Sequence, residues 1–226
     1  MEVLLPMAVA AVIGGELLMR ISYMEDDDND MAIPLSFDEF YSKAETGDLV
    51  LTSGIHASSV ITRSFMASQW SHCGIVYKSK DGNIYEWSSH RIGENIRSCD
   101  GKIHDGPQLI PIQNLGSTVY LCKVQCNRTR MINTIGKLMS SLTTMPFIDV
   151  LSLIGCAFST PSLDTGMGVT CAQLVALTYY SAGVLLIDRP LTNYIPDTFS
   201  PQGDAAWKCV TPSTIYIAFT SRKNKH

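Results

Sequence analysis

Apolar and polar positions along the chain fall into short, separable patterns. Ser36-Phe37-Asp38-Glu39 is a capping-box signature, Ser followed three residues later by Glu. It predicts a short helix that stops at Gly47. Asp48 to Thr52 then reads as a strand, and Val60, Ile61, Phe65 and Met66 recur at helical spacing within 56–68. Two apolar runs, Cys73 to Tyr77 and Asn83 to Trp87, flank Asp81-Gly82 and predict a β-hairpin. Ser117 to Gln125 reads as a further strand. Helices are expected over 128–143, with Asn127 as N-cap, and over 147–157. The Gly-, Pro- and Ser-rich stretch from Ser159 to Val169 is a loop. A strong helix follows over 171–182 and ends at Gly183, and Thr214 to Phe219 is a last strand. Strands precede most helices, so the pattern predicts one α+β domain.

The first 30 residues stand apart. Residues 3–19 are the most apolar stretch, and thirteen of them run without a charge before Glu16. A membrane span needs about 20 apolar residues, with a lower limit near 17. Gly14-Gly15 and Glu16 weaken that reading. Glu2 weakens a cleaved signal, which carries Lys or Arg there. A membrane anchor, a helix packed on the protein or a partner, and a cleaved signal therefore all stay open. Glu25 to Asp30 reads as a solvated linker. The division is thus 1–30, an apolar segment plus acidic linker, and 31–226, the globular domain.

Composition changes this picture only at the margins. Of 226 residues, 46% are apolar and 17% charged, which excludes disorder, coiled coil and collagen. The net charge is −4 and resides in the N-terminal segment. With no basic run before Arg222, Lys223 and Lys225, nucleic acid is not an expected partner. Seven cysteines without a CxxC pair argue against a disulfide framework and a Cys-rich zinc site, and free thiols fit a reducing, intracellular compartment. Cys122 and Cys126 are read as small buried residues on one face of a strand.

No Walker loop, dinucleotide fingerprint, GxSxG elbow or HExxH occurs, which leaves the cysteines, the five histidines and a few carboxylates; thiol hydrolysis by these residues implies neither metal nor organic cofactor. Cys171 follows a loop and opens a helix, where unpaired N–H groups and the helix dipole stabilise a thiolate. The same N–H groups could hold an oxyanion. A nucleophilic thiol needs a base, and His72, at the start of an apolar strand, is the best placed histidine. His56, His104 and His226 lie on a helix start, a loop and the tail. Glu86 on the next strand is the candidate for orienting His72, with Ser88 and His90 as alternatives. A tight turn at Asp81-Gly82 would set Glu86 opposite Tyr77. One residue of bulge or a longer loop would bring it to the face of His72.

Gly47-Asp48-Leu49-Val50-Leu51, Trp70-Ser71-His72-Cys73-Gly74-Ile75-Val76, Ile84-Tyr85-Glu86-Trp87 and Cys171-Ala172-Gln173-Leu174-Val175, in that order, resemble the circularly permuted papain-like cysteine amidases. These belong to the NlpC-type superfamily, in its YiiX/YaeF-like branch, with members in bacteria and large DNA viruses. Met145-Pro146-Phe147-Ile148-Asp149 is similar to that family's Gly-x-Pro-Tyr-Asp segment. The resemblance implies a small antiparallel β-barrel or sheet packed against helices, with Cys171 as nucleophile, His72 as base and Glu86 as orienting residue. It further implies hydrolysis of an amide, peptide or isopeptide bond. Many relatives carry Cys-Ser-Glu-Leu-Val where this chain has Gln173, which puts a substrate or partner contact there in question. Two other readings compete. One is an acyl-lipid transferase or hydrolase held at a membrane through residues 3–19. The other is a binding or structural module without turnover.

Overall fold

A computed structural model describes residues 32–53, 70–115, 118–142, 144–146, 168–208 and 215–220. Among these residues seven strands form one sheet: β1 (Ala32–Pro34), β2 (Leu49–Ser53), β3 (His72–Lys78), β4 (Ile84–His90), β5 (Gly106–Pro111), β6 (Thr118–Cys122) and β7 (Ile215–Thr220). Their spatial order is β1-β7-β6-β2-β3-β4-β5, antiparallel throughout except for β1 beside β7. The helices are α1 (Phe37–Lys43), α2 (Arg128–Leu142) and α3 (Cys171–Ser181). The α+β class is as the sequence predicts. Of the expected barrel or sheet it is the sheet that is found: among the described residues β1 and β5 do not pair with one another, so the sheet is not closed.

Local chemistry accounts for the helix ends. Ser36 Oγ accepts from Glu39 N–H (3.3 Å) and Glu39 Oε2 accepts from Ser36 N–H (2.7 Å), closing the capping box of α1. Asn127 Oδ1 accepts from Arg130 N–H (3.0 Å) at the start of α2. α3 ends in a Schellman turn: Val184 N–H reaches Tyr179 O (2.8 Å) and Gly183 N–H reaches Tyr180 O (2.9 Å). That turn holds Gly183 at φ +77°, which a side chain would oppose.

Strand alternation divides the core in two. Leu49, Leu51, Cys73, Ile75 and Trp87 face Met131, Ile135, Leu174, Val175 and Tyr179 of α2 and α3. Val50, Val76, Ile84, Ile110 and Leu121 pack with Phe40 and Ala44 on the other side. The Gly47-Asp48 pair is a structural anchor. Buried Asp48 accepts from Lys123 Nζ (2.6 Å), Arg128 Nη2 (3.2 Å) and the backbone N–H of Glu45 (2.9 Å). Tyr179 Oη donates to Gly47 O (3.0 Å). These bonds tie α3 to the start of β2, and so fix the helix that carries Cys171.

Several expectations need comment. β1 and β5 carry no strong sequence signal: one has three residues, and the other holds Gly106, Pro107 and Pro111. The expected strand 117–125 ends at Cys122, so Cys126 is not on it. Cys126 is half-buried and accepts from Arg128 Nη1 (3.0 Å). The expected helices 56–68 and 147–157, His56, His226 and the segment 3–19 lie outside the described residues. Among the described residues, five cysteines are free, and no helix is long and apolar enough to cross a membrane.

Candidate active site

β3 and β4 bring His72, Glu86, Ser88 and His90 together. The hairpin loop is longer than two residues: Ser79 N–H donates to Asn83 O (2.9 Å) and Gly82 N–H to Ser79 O (3.0 Å). The pairing is therefore Val76 opposite Glu86 and Tyr77 opposite Tyr85. That one-residue shift puts Glu86 on the sheet face of Val76, Gly74 and His72. Glu86 still lies further along the ladder than His72. It spans the gap by lying over Gly74, where a Cβ would collide with Glu86 Oε1, Cγ and Cδ. The Gly of Ser71-His72-Cys73-Gly74 is thus the space the carboxylate occupies.

The carboxylate is fully buried and divided between two imidazoles. His72 Nε2 donates to Glu86 Oε1 (3.0 Å), and His90 Nε2 donates to Glu86 Oε2 (3.0 Å). Ser88 Oγ lies 3.1 Å from His72 Nε2 and donates its own proton to Cys73 O (2.8 Å). His90 Nδ1 donates in turn to Glu94 Oε2 (2.9 Å), and the two rings stand 4.2 Å apart. Sequence reasoning held His90 and Ser88 as substitutes for Glu86; both stand beside it instead. Glu94 was not foreseen, because it sits in a short 3-10 turn after β4 that carries no motif.

Cys171 is the first residue of α3. Thr170 caps the helix: its Oγ1 accepts from Gln173 N–H (3.2 Å), while Gln173 Oε1 accepts from Thr170 N–H (2.8 Å). Gln173 is therefore spent on the reciprocal cap, a task Gln and Glu perform equally. The glutamine that put a substrate or partner contact in question is conservative in this respect. Leu174 N–H goes to Thr170 O (3.1 Å), and the N–H groups of Cys171 and Ala172 remain as candidate oxyanion donors at the helix start. Upstream, Val169 N–H donates to Pro146 O (3.0 Å), and Ser89 Oγ donates to Val169 O (2.7 Å). These bonds pin the approach to Cys171 against the sheet.

The electrostatics follow from these contacts. The neighbouring Cys73 thiol donates to the Cys171 sulfur and holds its pKa well below the ordinary thiol value; burial opposes this, and the charge and hydrogen bond of His72 reinforce it. Burial drives the Cys73 thiol the other way, so it remains a donor. Burial works against a charged His72, yet the charges of Glu86 and Cys171 outweigh it and raise the imidazole well above its usual value. Burial likewise opposes ionisation of Glu86, but His72 and His90 bring its pKa down to about 2. For His90, burial and the charge of His72 oppose protonation, while bonds to Glu86 and Glu94 raise its pKa. With Nε2 committed to Glu86, Nδ1 is the His72 nitrogen left for the thiol.

His104, by contrast, is exposed and bonded to Asp100 (2.8 Å). The donor atoms of His72, Glu86 and His90 lie within 4.8 Å of one another, a set that could hold a metal ion and that sequence spacing did not reveal.

Replacing Gly74 by Ala is expected to leave the fold intact, judged by near-UV circular dichroism. It should push Glu86 off His72 and raise the apparent pKa of Cys171 alkylation by about one unit.

No protein-family model matches the chain, and no curated protein matches it. Among solved structures it is similar to the metalloprotein YiiX from Escherichia coli O157:H7. The identity is 13% and the TM-score 0.44, over 78% of this chain and 89% of that one.

Proposed function

We propose that the protein is a thiol hydrolase of the circularly permuted papain-like kind, cleaving an amide bond, peptide or isopeptide, through an acyl-enzyme on Cys171. The observation that supports this reading is the meeting of three groups from separate elements. His72 Nε2 is held by the buried carboxylate of Glu86 at 3.0 Å, and Cys171 at the helix start lies near enough for the imidazole's charge and hydrogen bond to lower its pKa.

In this reading His72 Nδ1 takes the thiol proton, and the sulfur attacks the carbonyl carbon. The oxyanion forms beside the N–H groups of Cys171 and Ala172. The imidazolium then protonates the leaving amine, and water, deprotonated by His72, releases the acid. Glu86 keeps the proton on Nε2 through each step, which fixes the tautomer that presents Nδ1 to sulfur. The order His72, Glu86, Cys171 along the chain matches the permuted arrangement implied by the sequence resemblance.

The test is trapping. The full chain is incubated with peptidyl-amide and acyl-lipid probes, quenched in acid, and examined by peptide-resolved mass spectrometry. The expected result is an acyl adduct on the Cys171 peptide with release of the probe amine, absent in Cys171→Ala and turned over at neutral pH. Adducts with acyl-lipid probes alone would replace the amidase by the membrane acyltransferase. No adduct with either class would favour a binding module.

A further inference from the structure

We propose that His72, Glu86 and His90 also bind one divalent transition-metal ion of the zinc class, and that the loaded protein is a resting form. Metal binding stands by itself; the resting character rests on the thiol-hydrolase reading.

Two imidazole nitrogens and a carboxylate form a donor set that zinc accepts. Both Nε2 atoms already converge on the one carboxylate, each at 3.0 Å from a different oxygen. Tetrahedral zinc with bonds of 2.0–2.2 Å requires donors roughly 3.4 Å apart. For each of these nitrogen–oxygen pairs the change from 3.0 Å is a few tenths of an ångström, and the remaining donor separations close by at most about 1.4 Å as the rings tilt. All three donors lie within 4.8 Å of one another.

The surroundings are those of a supported site. His90 Nδ1 is held by Glu94 Oε2 (2.9 Å), the carboxylate-behind-imidazole arrangement that orients ligating histidines. The ligands stand on two paired strands, so their spacing does not depend on a loop. Glu86 is fully buried and His90 nearly so, while the His72 side chain keeps 16% of its surface exposed and gives an ion its way in.

Loading moves protons in a defined way. The ion takes the Nε2 lone pairs of both rings, and the Nε2 protons leave to solvent. The proton on the His72 ring is then on Nδ1, the nitrogen that Glu86 leaves for the thiol. The ring donates to sulfur and no longer accepts its proton, so the base is absent while the ion is bound.

The experiment is zinc titration of the chelator-stripped full chain against a chromophoric competitor, with cobalt absorption as a second readout. One equivalent should bind with equal affinity in wild type and Cys171→Ser. Affinity should fall at least ~10-fold in His90→Gln, and about 10-fold in Glu94→Gln, which touches only the outer support. The half-exposed Glu94 supplies a variant that keeps the core should His90→Gln fail to fold. The cobalt spectrum should lack a thiolate charge-transfer band. No bound equivalent, unchanged affinity in both variants, or a thiolate band that vanishes in Cys171→Ser would each overturn the site. The trapping experiment varies independently. Zinc bound in a protein that never acylates leaves the site standing without the hydrolase, and acylation in a protein that binds no zinc does the reverse.

Discussion

Replacing His72 by Ala is expected to raise the apparent pKa of Cys171 from its depressed position to the ~8.5 of a free thiol or above. The wild-type value lies well below the ordinary thiol range. Two of the influences that lower it, the charge and the hydrogen bond of His72, disappear in the variant. Burial, which opposes ionisation, stays. The Cys73 thiol still donates, so part of the depression survives, and burial works against that part. The measurement is the full pH profile of iodoacetamide labelling in chelator-treated protein, resolved peptide by peptide. A rate at one pH would mislead, because a thiolate of lower pKa is intrinsically less nucleophilic and the two effects partly cancel. Wild-type labelling should persist well below the ordinary thiol range and be lost only as pH falls through the depressed thiol value. The variant should lose it below about pH 8.5. A wild-type Cys171 that titrates like a free thiol would remove the thiolate–imidazolium pair, and the hydrolase with it.

Glu86→Gln is expected to destabilise the fold by about 3 kcal/mol at pH 5.5, and by almost nothing near pH 2. The sign follows from linkage. Glu86 titrates at about 2 in the folded chain against 4.5 as a free side chain. A depressed carboxylate stabilises the fold above its unfolded pKa, and that contribution disappears as pH falls from 4.5 toward 2. His72 and His90 are raised, so their contribution is full below 6.5 and is lost as pH rises through their folded values. The cluster is strongest between about pH 4.5 and 6.5. Glutamine keeps the volume but leaves two facing imidazoles without an anion. In a domain of this size, 3 kcal/mol is a fall in Tm of roughly 6–12 °C. Urea unfolding of both proteins at pH 5.5 and near pH 2 reads the difference directly. A constant difference across that range would mean that Glu86 acts by packing and not by charge.

Much of this was legible in the chain. Ser36-x-x-Glu39 and Thr170-x-x-Gln173 are local chemistry, because a cap needs only residues three apart; the first was read as a cap and the second, though present, was not. The α3 helix, its stop at Gly183 and the position of Cys171 at its start follow from periodicity and turn residues within a dozen positions. So do β3, β4 and the turn between them. The pairing of His72 with Cys171 came from the order of short motifs, each weak by itself.

What the sequence left open is what depends on registers and on distant elements. Whether Glu86 reaches His72 turned on a one-residue difference in the hairpin loop, and a period of two makes such a shift exchange every side chain between faces. Gly74 reads as an ordinary strand glycine until a carboxylate is seen lying across it. His90 and Glu94 join the site because β4 continues past Trp87, its last residue paired with β3, and sets the His90 ring 4.2 Å from that of His72, and no local pattern marks that. The role of Asp48 required Lys123 and Arg128, some 75 to 80 residues away, and the open sheet required knowing that β1 and β5 do not pair among the described residues. Caps and periodicity are short-range and survive in a one-dimensional reading. A buried carboxylate shared by two imidazoles exists only once three elements have excluded water from the same few ångströms.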